Sequence, residues 1–68
     1  MNGDEFIRRA RRYARRRGLE FEVDYRQGKG SHATLYLGER RTTVKQSEIG
    51  RGLLASMLRD LRIDREDW

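Results

Sequence analysis

Cysteine is absent from this 68-residue chain, which removes disulfide frameworks and thiolate zinc sites together and leaves no hint of export. No apolar run exceeds a few residues, so nothing resembles a membrane span or a secretory signal peptide. A soluble, cytoplasmic protein is expected. There is also no proline, no internal repeat and no low-complexity linker, and the chain is too short for two independent cores. Histidine occurs once, at position 32, so proton-transfer chemistry near neutrality has a single obvious candidate.

Positive charge is what the chain has in excess: 16 Lys plus Arg against 11 Asp plus Glu, a formal net charge of +5. Its placement says more than its total. Residues 1–18 hold seven arginines against Asp4 and Glu5, and 19–25 carry Glu20, Glu22 and Asp24 without a basic residue. Residues 26–51 hold six basic and two acidic side chains, and 52–68 are slightly acidic. Two basic regions separated by an acidic one favour a polyanionic partner, with a merely solvated basic exterior as the alternative.

Hydrophobic periodicity predicts a helix over 4–17, with Phe6, Ile7, Ala10, Tyr13 and Ala14 on one face. Arg8, Arg9, Arg11, Arg12, Arg15 and Arg16 take the opposite arc, and Arg17 lies near the apolar stripe, where its stem can cover the core edge. Asn2 or Asp4 can cap the start, Glu5 completes a capping box with Asn2, and Gly18 supplies a left-handed stop. The period then changes to two. Leu19, Phe21, Val23 and Tyr25 alternate with Glu20, Glu22 and Asp24, and Ala33, Leu35 and Leu37 alternate with His32, Thr34 and Tyr36. A turn at Gly38-Glu39-Arg40 precedes a third, shorter strand over 41–45, and a loop from Gln46 to Gly50 leads into a second helix over about 51–62. The expected architecture is α+β: an α-β-β-β-α two-layer sandwich whose three-stranded antiparallel sheet carries both helices on one face. One domain over 1–63 is expected, with 64–68 as a tail that adds a turn or frays.

His32, Thr34 and Tyr36 then fall on the wet face of the sheet. Gly28-Lys29-Gly30-Ser31-His32 combines backbone that can approach a bulky anion, a point charge, a hydroxyl and an acid–base group. It is too short for a Walker loop. If odd-numbered residues point inward on both first strands, two registers are open. A seven-residue loop, 25–31, sets Asp24 opposite His32, where a carboxylate would fix the imidazole tautomer; a loop two residues longer sets Asp24 opposite Thr34. Glu20, Glu22 and Asp24 could hold Mg²⁺ against a phosphate, although such spacing is also the solvent side of any alternating strand. Tyr36 is placed to stack a base. Gly50 and Gly52 either free backbone N–H groups for an anion or simply make the turn.

Gly28-Lys29-Gly30-Ser31-His32, the strand Ala33-Thr34-Leu35-Tyr36-Leu37 and the later Glu48-Ile49-Gly50-Arg51-Gly52-Leu53-Leu54 resemble the HicA toxin family, the small ribonuclease partners of HicA–HicB toxin–antitoxin pairs. The resemblance runs over roughly residues 4–63. It implies a fold like the double-stranded RNA-binding domain, metal-independent cleavage of mRNA by His32, and silencing by a HicB antitoxin. Lys29, Gly30, Ser31, Tyr36, Lys45 and Arg51 are the candidate RNA contacts, with Asp24 as a candidate orienter of the histidine. No metal, cofactor or membrane enters this expectation. The first helix departs from the family in its many arginines and in ending at Gly18-Leu19 without a glycine-tryptophan pair. A non-catalytic RNA-binding module of the same fold, and an adaptor whose arginine helix binds an acidic protein, are the alternatives.

Overall fold

Asn2 starts the first helix, α1 (Gly3–Arg17), through a complete capping box: its Oδ1 accepts from the Glu5 N–H at 2.9 Å while Glu5 Oε1 accepts from the Asn2 N–H at 3.4 Å. The helix stops at Gly18, whose φ of 66° lets the Leu19 N–H turn back to the Ala14 carbonyl at 2.9 Å. The computed structural model describes residues 1–26 and 32–68, and within them the element order is α1, β1 (Phe21–Asp24), β2 (His32–Leu37), β3 (Arg40–Lys45) and α2 (Arg51–Asp60). The strands form one antiparallel sheet in the order β1-β2-β3. This is the α-β-β-β-α arrangement of a double-stranded RNA-binding-like fold.

Both helices bury their apolar faces against one side of the sheet. Phe6, Ile7, Ala10, Tyr13 and Ala14 from α1 meet Leu35, Leu37 and Val44 from the strands and Met57, Leu58 and Leu61 from the second helical segment in one core. Full burial of side chains such as Phe6 and Leu35 stabilises the fold by about 1.5–3 kcal/mol each. Thr42 also faces this side and is buried, its hydroxyl donating to Asp60 Oδ2 at 3.0 Å and tying β3 to the end of α2.

Several boundaries differ from the sequence expectation, each for a local reason. The first strand is shorter at both ends: Leu19 belongs to the helix stop and Tyr25 is exposed. The third strand is not short; it runs six residues, as long as β2, because Gly38 and Glu39 make a two-residue hairpin that pairs Leu37 with Arg40. Gly38 has φ 59°, the positive value that tight hairpins demand. The second helix ends at Asp60 rather than Arg62, since Arg62 takes φ 55° and its N–H and that of Ile63 close on Arg59 and Leu58. Residues 64–68 do not fray. They form a turn that seats the Trp68 ring 4.8 Å from that of Phe6, under the Arg9 guanidinium.

Candidate functional site

Strand parity separates the two surfaces of the sheet. In β2, Ala33, Leu35 and Leu37 are buried while His32, Thr34 and Tyr36 are half-buried on the open side. The register builds rows across that side. Glu22, Tyr36 and Arg41 form one, Asp24, Thr34 and Thr43 the next, and His32 with Lys45 the last. Charge therefore changes sign across the face, with carboxylates on β1 and cations on β3.

His32 is the first residue of β2 and Lys45 the last of β3, so this pair marks the rim of the open face. The imidazole is not in the hydrophobic interior, and a cationic side chain stands opposite it. Four residues along β2, Tyr36 faces Arg41; these two and Thr34, Thr42, Thr43 and Asp60 line a hollow of about 490 Å³. A second hollow of about 320 Å³ lies on the acidic side, between Glu20, Phe21, Glu22, Asp24, Tyr36 and Gly38. Among the described residues no three or more histidine, aspartate or glutamate side chains converge as a metal site.

The pairing of Asp24 with His32 requires correction. The register sets Asp24 opposite Thr34, the longer-loop alternative. Its carboxylate is taken up locally: Asp24 Oδ1 accepts from the Arg26 N–H at 2.9 Å and from Arg26 Nε at 3.3 Å. Those bonds, the backbone one foremost, hold the Asp24 carboxyl below the usual aspartate range. Such a side-chain-to-backbone turn two residues on ends the strand at Asp24, and the Asp-Tyr-Arg sequence carries its signal.

Of the other expected site residues, Tyr36 and Lys45 share the open face with His32, and Arg51 stands exposed at the start of α2 in the helix layer. Lys29, Gly30 and Ser31 lie outside the described residues, as does Gly28. Two contributors escape sequence reasoning. Arg41 adds a cation to the row of Tyr36, which only the hairpin register reveals. Gly3, buried at the start of α1, lies against the backbone of Lys45 and Gln46, so it seats the end of β3 that carries Lys45. The segments also meet at an Asn2–Glu48 bridge and an Ile49 N–H bond of 2.7 Å to the Met1 carbonyl.

The family model described as HicA toxin of bacterial toxin-antitoxin matches residues 13–63, three quarters of the chain. The chain belongs to the HicA toxin family. It is thus of the toxin type in a toxin–antitoxin pair. No curated protein and no solved structure matches it. In this HicA-family chain the match takes in the whole open face but leaves out most of α1 and the turn over 64–68, which pack against one another through Phe6, Arg9 and Trp68. No helix among the described residues is long and apolar enough to cross a membrane.

Proposed function

We propose that this HicA-family toxin is an endoribonuclease that cleaves mRNA in the cytoplasm with His32 as its acid–base residue, and that a HicB-type antitoxin silences it by covering the open sheet face. The observation that carries this is the position of His32 at the rim of that face, opposite Lys45 and in line with Thr34 and Tyr36. Phosphate favours the cationic β3 side and avoids the carboxylates of β1, so the strand lies along β2 and β3. Lys29, Gly30 and Ser31, which precede His32 in the sequence, Tyr36 by stacking and Arg51 from α2 complete the contacts.

The ribose 2′-hydroxyl attacks the adjacent phosphorus, forming the O2′–P bond and breaking P–O5′. His32 accepts the 2′ proton or donates one to the departing 5′ oxygen, and water serves the other transfer. Lys45 offsets the negative charge that builds on the phosphoryl oxygens. The products are a 2′,3′-cyclic phosphate and a 5′-hydroxyl. Replacing His32 by alanine lowers cleavage by roughly 10²–10⁴-fold. A 2′-deoxy substitution at the cut site abolishes it, and EDTA leaves it unchanged. Cleavage of DNA, or full activity in His32→Ala, would overturn the proposal. RNA binding without any cleavage would make the chain a binding module.

A further inference from the structure

The seven arginines of α1 fall into two sets that their sequence does not distinguish. Arg9, Arg16 and Arg17 are tied to the carboxy-terminal turn: Arg9 Nε donates to the Trp68 carbonyl at 2.8 Å, Arg16 to that of Asp67 at 3.3 Å, and Arg17 pairs with the Asp67 carboxylate at 3.1 Å. Arg11 lies over the Phe21 ring, 5.6 Å from its centroid. Arg8, Arg12 and Arg15 are exposed and hold no carboxylate, carbonyl or ring among the described residues. The acids of the helix are Asp4 and Glu5, both in its first turn; Glu5 is turned back to the Asn2 N–H, and neither is ion-paired with Arg8, Arg12 or Arg15 among the described residues.

At about 100° per residue, Arg12 and Arg15 lie within about 40° of Arg8, and all three point away from the buried face of α1. They form a line about 10.5 Å long on the outer side of the helix layer. With Arg11 they surround a hollow of about 360 Å³ that no acidic residue lines. The line works against helix stability. Arg8 with Arg12 and Arg12 with Arg15 are like-charge neighbours, each unfavourable by about 0.2–0.5 kcal/mol.

We propose that Arg8, Arg12 and Arg15 form a second RNA-backbone surface, on the opposite side of the sandwich from His32, that holds a distal stretch of the RNA. This rests on the reading that RNA is the substrate. Chemistry favours a phosphate backbone over an acidic protein. Protein interfaces centre on an apolar, charge-depleted core, and this stripe has none; the exposed large hydrophobic residues are Leu19, Tyr25 and Leu53, all off α1. Phosphate binding draws its free energy from counterion release and needs no such anchor.

The test measures binding of a 30-nucleotide single-stranded RNA by fluorescence anisotropy across a salt series, using the full chain carrying His32→Ala so that the probe survives. Adding Arg8→Gln, Arg12→Gln and Arg15→Gln together should reduce the slope of log K against log salt by about 2, at about 0.7 per phosphate contact on a single strand. The triple Arg→Lys variant should keep the slope, and thermal melts should show the glutamine variant no less stable than its parent. An unchanged slope in the glutamine variant overturns the proposal while leaving RNA cleavage by His32 intact. Tighter binding of polyglutamate than of RNA by the stripe, or a loss seen on duplex DNA alone, also overturns it. A chain that binds no RNA sinks both readings.

Discussion

Gly3→Ala tests whether the seat beneath Lys45 is as tight as the backbone indicates. A Cβ on Gly3 would lie 2.7 Å from Gln46 Cα and 2.8 Å from the Lys45 carbonyl carbon, and nearer still to the Lys45 oxygen. Ordinary carbon contacts begin at about 3.5 Å, so roughly 1 Å of movement is needed, and every obstructing atom is backbone. Overpacking of this kind costs about 1–3 kcal/mol. Against it stands the gain from replacing glycine in a helix, about 0.5–1 kcal/mol.

The net loss is therefore about 1 kcal/mol, the middle of a range of about 0–2.5 kcal/mol, and a fall in Tm of roughly 4–10 °C for a domain of this size. Gly52→Ala supplies the contrast. That glycine is in the first turn of α2 with nothing within 4 Å of an added Cβ, so the same substitution gains about 0.5 kcal/mol. Thermal denaturation followed by circular dichroism, with both variants at one concentration, reads the difference directly. Gly3→Ala should also lower RNA cleavage, because the shift moves Lys45 relative to His32. A Gly3→Ala chain as stable as Gly52→Ala would refute the close-approach argument.

Arg62→Gly should stabilise the chain. The left-handed conformation at Arg62 costs about 1–2 kcal/mol for a residue with a Cβ, and the added freedom of glycine when unfolded returns about 0.4–1 kcal/mol, leaving a gain near 0.5 kcal/mol. A denaturant midpoint that does not rise would count against it. Trp68→Ala should destabilise by about 2 kcal/mol, below the 3–5 of a fully buried tryptophan because this ring is only half-buried. Trp68→Phe should recover most of that loss, and a melt unmoved by Trp68→Ala would show that the terminal turn contributes nothing.

Element order was legible because two periods are written plainly along the chain. The 3.6-residue spacing of Phe6, Ile7, Ala10, Tyr13 and Ala14 and the two-residue spacing of Ala33, Leu35 and Leu37 each demand one buried face, and the core uses those side chains. The open face followed from the same parity, which put His32, Thr34 and Tyr36 together without any contact being known. The carboxy-terminal turn followed only as one of two alternatives, a turn or a frayed end, since Asp64 to Trp68 is too short to show a period. What holds it is tertiary, the Phe6 ring and the Arg9, Arg16 and Arg17 side chains.

Register is where pattern reasoning reached its limit, and the reason is geometric. Alternation fixes only whether paired residue numbers sum to an even or an odd value; sliding one strand by two residues leaves every side chain on its original face. Parity alone therefore does not choose between the two registers. Asp24 spends its carboxylate on the Arg26 N–H and guanidinium, which ends β1 at Asp24, in register with Thr34. On the other flank the hairpin at Gly38 and Glu39 allows no such slack, and it delivers Lys45 to His32. The group facing the histidine is thus set by the tight turn between β2 and β3, which makes a cation its cross-strand neighbour, while the pairing of β1 with β2 gives the carboxylate to Thr34 instead.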